Sequence, residues 1–194
     1  LARIRFDTLV AVRPRAGART LDRVADWEIF LRLPLSAHAA ALGGENITII
    51  EDDPSLMFNN PALLGSVSDK SVGLNFMTYM KGAFTASASY NKTIGERATV
   101  GVMGQFVNYG SMKEVDENNV QTGEFSAKDI AISGALSYEL TERIVGGITA
   151  KFITSHIAGY NSIAMGVDLG VNYFDPVREW SLSATVKNLG GQLK

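Results

Sequence analysis

From residue 72 onward, apolar and polar side chains alternate one for one. A period of two puts successive side chains on opposite faces of an extended strand, so it predicts sheet and argues against amphipathic helix. Seven segments carry it: residues 72–80, 83–92, 98–110, 128–140, 143–156, 161–174 and 179–188. In the second, Phe84, Ala86, Ala88 and Tyr90 oppose Thr85, Ser87, Ser89 and Asn91. In the fourth, Ile130, Ile132, Leu136, Tyr138 and Leu140 oppose Asp129, Ser133, Ser137 and Glu139, with Gly134 interrupting the apolar row. The sixth and seventh repeat the pattern from Ile163 to Tyr173 and from Trp180 to Val186.

A soluble sheet resting on a core would alternate too, so the content of the polar row decides which face meets water. A water-exposed face carries abundant Lys, Arg, Asp and Glu, about a quarter to a third of its residues. This row is mostly Ser, Thr, Gly and Asn, which suits a crowded, hydrated interior with the apolar row turned to lipid. Ten residues at ~3.3 Å, tilted by ~40°, cover about 25 Å, the height of an outer-membrane apolar band. The connections 93–97, 141–142 and 175–178 are tight and fall on one side, beside Tyr90, Tyr138, Tyr173, Phe174 and Trp180, where an interfacial aromatic girdle would lie. Lys81-Gly82, residues 157–160 and a long loop from Ser111 to Ala127 fall on the other, extracellular side. The expected fold is therefore all-β, an antiparallel transmembrane β-barrel of outer-membrane type. Seven strands leave two unpaired edges, which hydrocarbon does not tolerate. The sequence thus reads as the N-terminal portion of a longer barrel, ending in a loop at Asn188 to Lys194.

Bulk properties agree and exclude other classes. Eighteen Lys plus Arg against 20 Asp plus Glu leaves no basic surface for nucleic acid. The absence of cysteine removes disulfides, Cys-ligated zinc and thiol nucleophiles. No apolar run approaches the ~18 to 20 residues of a spanning helix, and mean hydropathy is +0.07. Residues 1–26 stand apart: Arg3, Arg5, Arg13, Arg15, Arg19 and Arg23 against Asp7, Asp22 and Asp26 give +3, whereas the whole chain is −2. Thr8-Leu9-Val10-Ala11-Val12 is too short for a signal-peptide core. This segment is expected to be a disordered or mis-annotated start.

Residues 27–70 read as a plug that precedes the barrel of residues 71–194. An apolar approach from Trp27 and a small-residue run to Leu42 break at Gly43-Gly44, and Ile47-Thr48-Ile49-Ile50 predicts a brief strand. Glu51-Asp52-Asp53 could form an oxygen-ligand cluster for Mg²⁺ or Ca²⁺, yet adjacent carboxylates on an extended chain diverge. The structural alternative makes Asp53 an N-cap and Pro54 the first residue of a short helix ending before Asn60-Pro61-Ala62, which turns the chain toward the first strand. Asp116-Glu117-Asn118-Asn119 departs from a calcium-loop motif at Val120 and in glycine spacing, so it predicts a solvated loop. His38 and His156 are isolated, no catalytic triad can be assembled, and no phosphate loop is present. Asp168 and Lys151 lie on the polar row and are expected to pair. No catalytic residue, metal ligand or cofactor is assigned.

Leu42-Gly43-Gly44, the acidic residues and Asn60-Pro61-Ala62 resemble the plug region of FadL-type outer-membrane barrels. More narrowly, residues 51–64, 109–114, 122–131 and 187–193 resemble the PorQ-type proteins of the Bacteroidetes type IX secretion system, within the FadL-like, PorV-related barrels. The likeness spans about residues 28–194. It implies a non-enzymatic outer-membrane component of the cell-surface attachment complex that receives and anchors secreted cargo, with PorZ, PorU and PorV-like proteins as partners. Lys113, Glu114, Asp116, Glu117 and Phe125 are then candidates for an extracellular partner loop. The alternative is a FadL-like channel for hydrophobic small molecules.

Overall fold

The computed structural model describes residues 36–44, 46–79, 82–115, 121–157 and 160–193. Residues 1–26, Asp116 and Glu117 lie outside them. The chain is all-β: seven antiparallel strands form one sheet in sequence order, β1 (Val72–Thr78), β2 (Phe84–Ile94), β3 (Ala98–Val115), β4 (Gln121–Thr141), β5 (Ile144–Ile157), β6 (Tyr160–Asp175) and β7 (Trp180–Gln192). The sheet is not closed, and β1 and β7 are its edges. No helix is long and apolar enough to cross a membrane among the described residues.

Among the described residues three short helices precede the sheet: α1 (Ala37–Ala41) and the 3-10 helices η1 (Pro54–Phe58) and η2 (Pro61–Ser66). Asp53 caps η1 by accepting the Ser55 N–H at 2.8 Å, with Pro54 at the first helical position as expected. Asn60 repeats the device for η2, accepting from Ala62 N at 3.0 Å ahead of Pro61. The turn expected at Asn60-Pro61-Ala62 is thus a second helical segment.

The alternation divides the sheet into two unlike faces. Leu74, Phe76, Val102, Ile132, Leu136, Trp180 and Leu182 are exposed, whereas Thr85, Ser87, Asn91, Gln105, Asp129, Ser133 and Asp168 are buried. That inverts the burial order of a water-soluble sheet. The covering material is the N-terminal segment. Its residues approach Gly73 of β1, Asn91 of β2, Gly101 of β3, Ser137 of β4, Gly147 of β5, Gly170 of β6 and Ser181 of β7. Contacts from Thr48 to Ser68 thus reach all seven strands.

Three expectations are corrected. Residues 47–50 form no strand: Asn46 Oδ1 accepts the N–H groups of Thr48 and Ile49 at 3.1 Å each, so a local side-chain turn takes the donors that a ladder would use. Most of the Ser111 to Ala127 loop is instead paired strand: past a register shift between Asn108 and Ser111, β3 and β4 pair again through Ser111↔Ser126, Met112↔Phe125, Lys113↔Glu124 and Glu114↔Gly123, while residues 116–120 lie outside the described residues. These residues carry no continuous apolar row, so the pairing leaves no period of two in the sequence. Finally, Asn188 to Gln192 is not a loop. Asn188 adopts φ 61 and its N–H donates to Asp168 Oδ1 at 2.8 Å, a bulge after which β7 pairs with β6 as far as Ala164↔Gln192.

Candidate functional site: the covered polar face and the hairpin arm

The site begins with residues that let two backbones meet. A Cβ on Gly147 would strike the backbone of Pro61 and Ala62, and one on Gly170 would strike Asn60 Oδ1 and lie 2.9 Å from Pro61 Cδ. One on Gly101 would sit 2.7 Å from Met57 Sδ and 3.0 Å from Leu64 Cδ2. These glycines belong to the polar row, where the sequence suggested only a small-residue interior. Their function is contact with the covering segment.

Small polar side chains of the sheet complete the seat by donating to carbonyls of irregular backbone. Asn91 Nδ2 reaches Ser68 O at 2.9 Å, Ser181 Oγ reaches Thr48 O at 2.9 Å, and Ser137 Oγ reaches Ala62 O at 3.4 Å. Each offsets the cost of burying an unpaired carbonyl. Between these contacts an apolar cluster of Met57, Phe58, Leu64 and Val67 packs on Met103 and Ala135. Of the sequence-derived plug element, Pro54 lies against Gly73 of β1 and Asn60, Pro61 and Ala62 press against β5 and β6, while Asp53 caps η1.

Within the acidic run Glu51 and Asp53 both approach His38 Nδ1, Asp53 Oδ2 at 4.0 Å, whereas Asp52 turns to Ser68. Glu51 Oε2 lies 3.1 Å from His38 Nδ1, Asp52 binds Ser68 N at 2.7 Å and Ser68 Oγ at 2.6 Å, and Asp53 caps η1. The Ser68 hydroxyl, with the Ser68 N–H, holds the Asp52 carboxyl below its ordinary range. A backbone bond from Thr93 does the same to Asp69. His38, isolated in the sequence, is brought beside Glu51 by the fold. No group of three or more His, Asp or Glu suited to a metal ion occurs among the described residues.

Deeper in the polar face, Lys151 and Asp168 form an ion pair as expected, with side chains 2 % and 0 % exposed. Lys151 Nζ also faces Asn188 Oδ1 at 3.4 Å and stands 5.9 Å from the centroid of the Phe58 ring. One cation therefore links β5, β6, β7 and η1. Beyond it the face holds Val107, Ala131, Ile153 and Ala164 with Tyr109, whose hydroxyl donates to Asp129 Oδ2 at 2.7 Å. Gln105 Nε2, Asp129 Oδ1, Ser133 Oγ and Ser155 Oγ are buried there without a hydrogen-bond partner. Period-two reading put these residues on one face but could not show which were paired.

The candidate partner residues separate. Lys113 and Glu114 lie on β3 and Phe125 on β4, in the hairpin that projects past β2 and β5, while Asp116 and Glu117 fall outside the described residues. On the opposite, apolar face, Phe76, Phe84 and Phe106 form a ring ladder with centroid separations of 5.6 and 5.7 Å. Nearby, Leu74, Phe76, Ala86, Ala88, Phe106 and Ile130 line an apolar depression of about 570 Å³. No protein-family model matches the chain, and no curated protein matches it either.

Proposed function

We propose that the sheet is wall and its N-terminal segment plug of an outer-membrane β-barrel, acting without catalysis as a docking component of a type IX secretion attachment complex. The exposed apolar face supports the membrane part: on β4 it runs from Ile130 to Leu140, about 25 Å of membrane normal at a ~40° tilt. In this reading β1 and β7 join further strands, since an open edge is not tolerated in hydrocarbon. The docking part is carried by one observation, the occupation of the polar face by Met57, Phe58, Asn60, Pro61 and Leu64. A barrel filled by its own chain offers surfaces to partners rather than a passage.

The type IX assignment rests on the resemblance of residues 51–64, 109–114, 122–131 and 187–193, with PorZ, PorU and PorV-like proteins as the partners it implies. A FadL-like channel is the weaker reading, because a hydrophobic solute would meet Gln105, Asp129 and Ser133 on the inner face. Co-purification tests the choice. Folded protein with residues 112–125 replaced by Asn-Gly is expected to lose PorZ while the unaltered protein retains it. Equal capture by both would remove the hairpin from the interface.

A further inference from the structure

The outward, apolar face of the sheet is not evenly filled. Successive outward positions of β2 are Ala86 and Ala88, and across the ladder from Ala88 stands Gly104 of β3. These three floor the depression of about 570 Å³, with Leu74 of β1 along one side and Ile130 and Ile132 of β4 along the other. Leu74 is 77 % and Ile132 62 % exposed, so the walls project into the surrounding medium. A space of this size falls within the ~300–1,000 Å³ of small-ligand clefts. A glycine inside a strand marks a place where another group comes close. Gly101, Gly147 and Gly170 meet the covering segment, whereas a Cβ on Gly104, which is exposed on the outward face, would meet nothing within 4 Å. Any group that Gly104 admits arrives from the outward side.

A cation stands at one end of this depression. Lys128 is exposed on the same face of β4, one outward position beyond Ile130, where the apolar row of that strand begins. In a lipid-facing wall this places the depression in hydrocarbon and the Lys128 ammonium at the level of the headgroups. The neighbouring carboxylates are engaged elsewhere: Glu124 accepts from Ser111 Oγ at 2.9 Å, and Asp129, on the covered face, accepts from Tyr109. His156, opposite Lys128 in the register, meets Asn161 through Nδ1. The ammonium thus has no carboxylate partner among the described residues, and its charge is complementary to a phosphate. From the depression and the cation beside it we infer that this face binds one acyl lipid with a phosphate headgroup, an acyl chain in the depression and the phosphate on Lys128. The inference rests on the reading of the apolar face as lipid-facing and names the lipid that the face selects.

The test uses the full chain folded into phosphatidylcholine vesicles, with a fluorophore on a single introduced cysteine, Val102→Cys, one outward position from Gly104 on β3. Brominated acyl chains quench such a label on contact. At equal low mole fraction, brominated phosphatidic acid is expected to quench roughly fivefold more than brominated phosphatidylcholine, the value of one lysine at an anionic headgroup. Lys128→Gln should remove the preference, and so should Gly104→Leu, which fills the depression where a Cβ meets nothing. Ala88→Leu serves instead should that variant not fold. Lys92→Gln, which removes an exposed cation near the opposite end of the same face, should leave the preference unchanged. Equal quenching by the two lipids in the unaltered protein, or a preference that survives Lys128→Gln or the filled depression, would overturn the proposal. A fluorophore on Leu136→Cys of the same face reads the wall in the same vesicles. Quenching there with none at Val102→Cys would put a protein segment in the depression and overturn this site alone, whereas no quenching at either position would overturn the lipid-facing reading with it.

Discussion

At the scale of residues, the chain separates positions that look alike in sequence. Gly147 and Gly104 both interrupt strands, but a Cβ on Gly147 meets backbone and one on Gly104 meets nothing within 4 Å. Gly147→Ala is expected to cost ~1–3 kcal/mol, the usual range for overpacking, and Gly104→Ala to stay within ~0.5 kcal/mol in chemical denaturation. Asp53→Ala removes the η1 cap and should lower stability by ~1 kcal/mol, with no metal dependence in either protein. A metal-dependent stabilisation abolished by this change would reinstate the acidic run as a metal site. Asp52 supplies a pH signature. Its pKa is depressed by Ser68, so its contribution is full above the ordinary carboxylate pKa and is lost as pH falls through the lowered value. Asp52→Asn should therefore flatten the acid limb of a plot of unfolding midpoint against pH and leave the neutral region parallel to wild type.

At the scale of elements, the period of two was sufficient to locate all seven strands, because each has one apolar face from Phe76 on β1 to Leu182 on β7. It failed where that cause was absent. The β3–β4 arm has no continuous apolar row, the β7 extension runs through a bulge at Asn188, and residues 47–50 are β-branched yet held by the side chain of Asn46. The cap at Asp53 was legible because a capping side chain and the following proline are local signals, whereas the same pair at Asn60-Pro61 was read only as a turn. The seat beneath them was not legible, since Gly147 and Gly170 gain meaning only from a segment more than 80 positions away. The Lys151–Asp168 pair was legible as a pair but not as a junction of three strands and η1. Lys151→Met leaves Asp168 buried without its cation and is expected to destabilise by ~3–5 kcal/mol, whereas adding Asp168→Leu should recover much of that loss in the same denaturation assay.

At the scale of the whole molecule, one structural fact organises the rest: small polar residues are covered and large apolar residues are exposed. In water that arrangement costs about 25 cal/mol for each Å² of apolar surface left uncovered, whereas lipid removes the penalty. The covering segment, the glycine seat and the Lys151 junction all lie on the polar side, and no helix of membrane-spanning length occurs among the described residues. The claim that the apolar face meets lipid is open to a direct measurement, because the chain has no cysteine and each introduced thiol is unique. Single cysteines at residues 132–137 of β4, each carrying a fluorophore, are placed in protein folded into lipid vesicles containing nitroxide-labelled acyl chains. Quenching is predicted to alternate, strong at Ile132→Cys, Gly134→Cys and Leu136→Cys and weak at Ser133→Cys, Ala135→Cys and Ser137→Cys. Uniformly weak quenching along β4, or the reverse alternation, would contradict the account.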